Sequence, residues 1–146
     1  MDFLGFLHSA PLLLDFTADN ERSALAMVAN LLRDNPAIAD HQRLFEAIWE
    51  RHCLQPPLLG NGIALPHART PVVTNIVFAL GRCKPSISFG PDGQAVKLIF
   101  LYASPPALVT QSLAVMATLA SRLKDPAVVA GLLAARNDRD FKQCLH

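Results

Sequence analysis

His67 is the residue of this sequence whose setting is best suited to chemistry. It follows the glycine-rich turn Gly60-Asn61-Gly62, a short apolar run and Pro66. A neutral imidazole nitrogen is a competent nucleophile near neutral pH, and Pro66 fixes the backbone that approaches the ring. The pattern favours a reactive histidine where the chain leaves a sheet, because a rigid scaffold leaves such residues exposed. An ordinary loop histidine is the alternative that this pattern leaves open.

The other four of the five histidines need no chemical role. His8 lies in the apolar N-terminal stretch, His41 lies near a helix start, and His146 ends the chain. His52 ends a predicted helix, where a partly charged imidazole interacts favourably with the helix dipole. Structural or solvent-exposed roles are sufficient for all four.

The motifs of nucleotide binding and of several hydrolase classes are absent. Leu65 stands where a dinucleotide-binding loop has its third glycine, and no Gly-Lys-Ser/Thr follows the glycines. Neither G-x-S-x-G nor H-E-x-x-H occurs. Cys53, Cys83 and Cys144 are odd in number and far apart, which predicts reduced thiols and no disulfide framework or zinc site. A nucleophilic pair of Cys53 with His67 is compatible with the spacing, as are other cysteine–histidine pairs.

The spacing of apolar residues predicts the elements that position His67. Predicted strands cover Leu12–Phe16, Ile63–Leu65, Ile76–Leu80, Ser86–Phe89 and Ala95–Ala103. Predicted helices run from Asp19 or Asn20 to Asn35, from Asp40 to about Arg51, from Val109 to Leu123, from Asp125 to about Ala135, and from Asn137 or Asp138 to Leu145. Val96–Tyr102 is nearly all apolar, which is typical of a central strand covered on both faces. We therefore expect one α/β domain over residues 1–146, with its sheet layered by helices.

Composition excludes some partners. Charged residues make up 17% of the chain, the formal net charge is +1, and the basic residues are scattered; this argues against a nucleic-acid partner. The uncharged run 98–121 is long enough to span a bilayer, but Ser104-Pro105-Pro106 interrupts it. The N-terminus contains Asp2 and no basic region, so it is unlike a signal peptide. We expect a cytoplasmic protein with no membrane insertion.

The segment from Gly60 to Arg69, GNGIALPHAR, resembles the signature of type 2 enzyme IIA domains of the bacterial phosphotransferase system. These form the fructose, mannitol and nitrogen-regulatory branch of that system. The similarity covers most of the chain, including Arg51 before the signature and Asp92-Gly93 after it. The family's histidine after the proline is phosphorylated, so the resemblance implies that His67 is the phosphoryl acceptor. It also implies the IIA type 2 fold, a mixed β-sheet flanked by α-helices.

The resemblance implies a phosphotransferase component with a phosphohistidine intermediate. The expected donor is a histidine-phosphorylated, HPr-like carrier protein, the recipient is a IIB domain or a regulatory target protein, and no metal or organic cofactor is needed. Positive charge and hydrogen-bond donors must meet the phosphoryl oxygens, so Arg51 is expected to make a charge-assisted contact and Ser112 to donate from its hydroxyl. An apolar rim for docking, or else part of the core, is predicted at Leu58, Leu59, Val72 and Val73.

The sequence departs from the family pattern at three positions. Ser112 stands where a second histidine is usual, Pro57 replaces a loop threonine, and His52 follows the arginine where Glu is common. These changes keep the acceptor and remove supporting groups, so a regulatory protein-binding module with weak or no onward transfer is the second hypothesis. A form that binds partners without being phosphorylated is the third. Arg69, two residues after His67, is interpreted as a solvated cation.

Overall fold

The computed structural model describes residues 3–146, with side chains from residue 5 onward, so Asp2 lies outside the described residues. Six strands in this part of the chain form one mixed sheet. The strands are β1 Leu12–Phe16, β2 Leu58–Gly60, β3 Ile63–Ala64, β4 His67–Arg69, β5 Val77–Phe89 and β6 Gln94–Ser104. The helices are α1 Phe3–His8, α2 Glu21–Ala29, α3 His41–Leu54, α4 Val109–Leu123, α5 Pro126–Ala134 and α6 Asp138–Gln143.

Strand β6 is the centre of the sheet. The strand order is β1-β5-β6-β3-β2, and β4 also pairs with β6. The β5–β6 pair is antiparallel, whereas β3 and β4 both run parallel to β6. Parallel and antiparallel pairs in one sheet, with helices on both faces, confirm the predicted mixed α/β fold.

Alternate residues of β6 face opposite sides of the sheet, as the pleat requires. Leu98, Phe100 and Tyr102 pack among residues of α1, α4, α5 and α6. Ile99 and Leu101 pack among residues of α2 and α3. Both faces of the strand are therefore buried, which explains its nearly continuous apolar sequence.

Several side chains predicted to begin helices do cap them. The amide N–H of Ser23 donates to Asn20 Oδ1 over 2.8 Å at the start of α2. Asp40 caps α3, and Asp125 caps α5 just before the first-turn proline. These caps fix the starts of α2 and α3 on one face of the sheet and of α5 on the other face.

Several predicted boundaries are wrong. The predicted strands Ile76–Leu80 and Ser86–Phe89 are one strand, β5, with a register shift between Arg82 and Ile87. Helix α3 continues past Arg51 to Leu54, and α1, β2 and β4 were not predicted. Among residues 3–146, no helix combines the length and the apolar character needed to cross a bilayer.

Candidate functional site

The glycine-rich turn joins β2 to β3 and docks against the central strand. Gly60, Asn61 and Gly62 all have positive φ, at 84°, 56° and 80°, a region that glycine enters without steric cost. The carbonyl of Gly62 accepts hydrogen bonds from the amides of Lys97 (2.8 Å) and Leu98 (3.0 Å). The glycines are therefore structural, and they hold the chain against β6 just before it reaches His67.

His67 begins the short strand β4, not a loop as the sequence suggested. Its register partner on the parallel strand β6 is Tyr102. The Tyr102 amide donates to the carbonyl of Pro66 over 3.0 Å, and the amide of Thr70 donates to the carbonyl of Ser104 over 2.9 Å. Hydrogen bonds on both sides of His67 thus fix its backbone to the carboxyl end of β6.

The His67 ring is held in one tautomer. Its Nδ1 lies 2.7 Å from the carbonyl oxygen of Leu65. A carbonyl only accepts hydrogen bonds, so Nδ1 carries the proton and Nε2 carries the free lone pair. Burial lowers the pKa of His67; the bond to Leu65 opposes this effect, and the charges of Arg51 and Arg69 add to the lowering. The ring is therefore neutral at neutral pH, with a nucleophilic Nε2.

A cavity of about 510 Å³ opens beside this ring. It lies between α3 and α4 at the carboxyl end of β6, and its charged lining groups are Arg51, Arg69 and Glu50. The structure brings His67, Arg51 and Ser112 together around this one cavity. It also places Arg69 in the lining, although this side chain is exposed.

Arg51 and Ser112 reach the cavity from helices on opposite sides of the sheet. Arg51 lies in the last turn of α3, is partly buried, and donates from Nη1 to the carbonyl of Gln55 over 2.9 Å. Ser112 lies in the first turn of α4 and is 7% exposed. Their arrangement supplies a guanidinium and a hydroxyl to any anion bound at the cavity.

Sequence reasoning missed Tyr102 as a residue of the site. Its ring stacks on His67 with centroids 5.0 Å apart and an interplanar angle of 10°. Its hydroxyl donates to Met116 Sδ over 2.7 Å, and both residues line the cavity. Burial raises the pKa of Tyr102 to about 12 despite the opposing charges of Arg51 and Arg69. The one signal in the sequence is that the only tyrosine of the chain lies near the end of a mostly apolar strand.

Most residues of the predicted apolar rim belong to the core, which was the alternative interpretation, and of the four only Leu59 is exposed, at 39%. Val72 and Val73 are 9% and 1% exposed and belong to the core, where Leu58 also packs. None of the four predicted residues lines the cavity. Exposed apolar surface is instead provided by Leu54 of α3, which is 84% exposed, and Leu113 of α4, which is 54% exposed, and both line the cavity.

The His52 side chain is buried, so its predicted role as a residue that interacts only with the helix dipole is incomplete. Its Nε2 lies 2.7 Å from a Glu21 carboxylate oxygen, and its ring stacks on Trp49. The same Glu21 oxygen accepts the amide N–H of Gly90 over 3.1 Å. Nδ1 of His52 is buried without a hydrogen-bond partner among the described residues. The ring therefore joins α3 to α2 and, through Glu21, to the β5–β6 turn.

The three cysteines do not line the cavity, and the described residues contain no cluster of metal ligands. Cys53 is exposed, does not line the cavity, and is free, as are Cys83 and Cys144. Burial raises the pKa of Cys83 to about 11. Within residues 3–146, no group of three or more His, Cys, Asp or Glu side chains is arranged to hold a metal ion.

These features define an α/β domain that presents one neutral histidine, with a free Nε2, in a cavity that two arginines make cationic. The model of the family described as "Phosphoenolpyruvate-dependent sugar phosphotransferase system, EIIA 2" matches residues 6–146. The chain belongs to this family.

Relatives come from both the transport and the regulatory branch. The 2-O-alpha-mannosyl-D-glycerate-specific EIIABC component of Escherichia coli is 28% identical over 99% of this chain, which spans 22% of that relative's length. The nitrogen regulatory protein of Bradyrhizobium diazoefficiens is 30% identical over 67% of this chain and 65% of its own. Among solved structures, IIA-Ntr of Neisseria meningitidis has a TM-score of 0.85 at 25% identity and covers 92% of both chains.

Proposed function

We propose that this protein is a phosphoryl carrier of the phosphotransferase system, with residues 1–146 acting as one IIA domain. The donor is a histidine-phosphorylated, HPr-like carrier protein. The P–N bond of the carrier breaks, and the carrier's ring, which carries a proton on its other nitrogen, keeps the electron pair and leaves as neutral imidazole. The lone pair of His67 Nε2 forms the new P–N bond, while the proton on Nδ1 stays in place. The step is balanced without water and without a cofactor.

The hydrogen bond from His67 Nδ1 to the Leu65 carbonyl is the observation that carries this proposal. It assigns Nε2 as the acceptor atom, since only that nitrogen has a free lone pair. The lowered pKa of His67 supports the same conclusion because a protonated ring cannot attack phosphorus.

Arg51 and Ser112 are proposed to bind the phosphoryl oxygens. Arg51 carries a permanent charge, and its guanidinium can donate two parallel hydrogen bonds to such oxygens. Ser112 supplies a neutral, weaker donor from the facing helix. Together they would stabilise the charge that develops on the phosphoryl group during transfer.

The exposed apolar side chains beside the cavity are proposed to dock the partners. Leu54 and Leu113 flank His67 on two helices, and transient protein partners bind through small interfaces. A IIB domain is the proposed recipient, which the similarity to an EIIABC component supports.

Phosphorylation by a phosphorylated HPr-like carrier tests the proposal. Intact-mass measurement should detect one phosphoryl adduct, which His67→Ala abolishes and His146→Ala retains. His146 is the matched control because it is exposed and does not line the cavity. Failure of the wild-type protein to form an adduct, when an established IIA domain forms one in the same mixture, would contradict the proposal.

A regulatory role is the second candidate function. The similarity to nitrogen regulatory proteins supports it, and so does Ser112, which offers a weaker phosphoryl contact than a histidine would. In this role the phosphorylated and unphosphorylated forms bind a target protein with different affinities, and onward transfer is slow or absent. Transfer of the phosphoryl group to a purified IIB domain within seconds would favour transport; a stable phosphorylated form in its presence would favour regulation.

A further inference from the structure

Tyr102 is fixed against His67 by both strand pairing and ring stacking. The two residues are register partners on neighbouring parallel strands, and their rings lie nearly parallel, 10° apart in orientation with centroids separated by 5.0 Å. Phe78 stacks on Tyr102 as well, at 5.2 Å between centroids. The phenol ring is therefore held between two aromatic neighbours and cannot swing away from the imidazole without breaking both stacking interactions.

The Tyr102 hydroxyl is bound to an unusually weak acceptor for a site of this kind. It donates to Met116 Sδ over 2.7 Å, and a thioether sulfur accepts hydrogen bonds poorly. A phosphoryl oxygen is a charged and much stronger acceptor. A small rotation of the hydroxyl would therefore exchange a weak bond for a strong one when a phosphoryl group enters the cavity.

The bond to Met116 places the Tyr102 hydroxyl on the α4 side of the cavity. Met116 lies four residues after Ser112 on α4, so the two side chains share one face of the helix. Ser112 occupies the position at which the resemblance to the family implies a second histidine. The side chain of Ser112 is short. The phenol of Tyr102, in contrast, extends from β6 as far as Met116 on this face of α4.

We propose that the Tyr102 hydroxyl donates a hydrogen bond to a phosphoryl oxygen on His67 Nε2 and thereby supplies a donor on the side where the second histidine is missing. This inference rests on the proposed phosphoryl-carrier function. No bond is broken other than the hydroxyl's hydrogen bond to Met116, and the proton stays on the tyrosine oxygen. Burial, which raises the pKa of Tyr102 to about 12, keeps the hydroxyl protonated and able to donate at neutral pH.

Tyr102→Phe tests the role of the hydroxyl because it keeps the stacked ring and removes a single oxygen atom. Single-turnover phosphorylation by a phosphorylated HPr-like carrier should be roughly 10- to 100-fold slower than for the wild type, as expected when one bond to a charged group is removed. The thermal unfolding midpoint should stay close to that of the wild type, since the oxygen's only partner in the described residues is a thioether. A rate within twofold of the wild-type rate would overturn the proposal for Tyr102 while leaving His67 as acceptor.

Nuclear magnetic resonance reports on the hydroxyl itself through the direction in which the Tyr102 signal moves. Tyr102 is the only tyrosine, so protein labelled with ¹³Cζ-tyrosine gives one signal. On phosphorylation of His67 this signal should move toward its high-pH, phenolate position, because a stronger hydrogen bond draws the proton from the oxygen. A signal that stays in place or moves the opposite way in phosphorylated protein overturns the proposal. Wild-type protein that takes no phosphoryl group overturns both this inference and the proposed function.

Discussion

Removing the cation of Arg51 should slow phosphoryl acceptance without unfolding the protein. Arg51 lines the cavity and is close enough to His67 to lower its pKa. Its one hydrogen bond in the described residues runs from Nη1 to the Gln55 carbonyl. This bond holds the guanidinium at the end of α3 and leaves its other N–H groups for the phosphoryl oxygens. Arg51→Gln removes the charge and most of the donors and keeps much of the side-chain length.

The size of the effect depends on how many hydrogen bonds to the phosphoryl group the substitution removes. A hydrogen bond between charged groups contributes about 1.5–3 kcal/mol, and partial exposure favours the lower end of that range. Since about 1.4 kcal/mol corresponds to a tenfold change in rate, a single bond predicts a rate reduced roughly tenfold and a bidentate pair a rate reduced roughly 100-fold. Arg51→Lys should fall between the wild type and Arg51→Gln because it keeps the charge but not the paired donors.

The assay must separate the removal of these bonds from a change in His67 itself. Arg51 lowers the pKa of His67, so its removal raises that pKa and increases the protonated, unreactive fraction at a given acidic pH. At about pH 8, well above the ordinary histidine pKa, the ring is neutral in both proteins. The single-turnover rate at that pH then measures phosphoryl stabilisation, and the midpoint of the pH profile measures the pKa.

Arg43→Gln is the matched control, because Arg43 is exposed on the same helix and does not line the cavity. It should leave the rate within twofold of the wild-type rate. Equal rates for Arg51→Gln and the wild type at about pH 8 would refute the role assigned to Arg51. A comparable reduction in Arg43→Gln would refute it too, because the effect would then come from net charge and not from the site.

Further predictions concern titration and stability. Phosphoryl acceptance should fall as the pH drops through the pKa of His67, with a midpoint below the usual histidine value because burial lowers that pKa; a midpoint above that value would contradict the assignment. Arg82→Met should lower the free energy of unfolding by about 2–5 kcal/mol in denaturant titrations, since two buried carbonyl oxygens at the end of α5 lose their donor; a decrease under about 0.5 kcal/mol would show that water replaces it. Gly81→Ala should cost about 1–3 kcal/mol, because its methyl group would lie 2.7 Å from Val28 Cγ2; an unchanged melting temperature would contradict this.

Much of the fold could be predicted because local sequence and global structure agree. The caps at Asn20, Asp40 and Asp125 were readable from residue type and from the apolar spacing that follows. The central position of β6 was readable from its apolar run. The break predicted within β5 was wrong for a local reason: Pro85, with polar neighbours, resembles a strand end, whereas the structure accommodates it between the registers at Arg82 and Ile87. Proline at such an irregularity is compatible with a continuous strand.

The features that were missed depend on contacts between distant parts of the chain. Strand β4 has only three residues, and it exists because its backbone pairs with the end of β6. Helix-dipole reasoning about His52 failed because its partner Glu21 lies 31 residues away in sequence. Tyr102 was assigned to the strand and not to the site, since only the pairing register places it against His67. A local sequence pattern does not predict which distant residues these strands and side chains contact.

The contacts of His52 explain how Arg51 can remain available. In the described residues Arg51 has no ion pair, so its charge is not already neutralised by a carboxylate. An arginine on a mobile helix end would lose side-chain and backbone entropy on binding a phosphoryl group. Here the neighbouring residue fixes the helix: His52 binds Glu21, which also holds the amide of Gly90, so the last turn of α3 is tied to α2 and to the β5–β6 turn. The last turn of α3 is therefore held in place without using Arg51, whose guanidinium lines the cavity and has no ion pair among the described residues that would compete with the anion that His67 would carry.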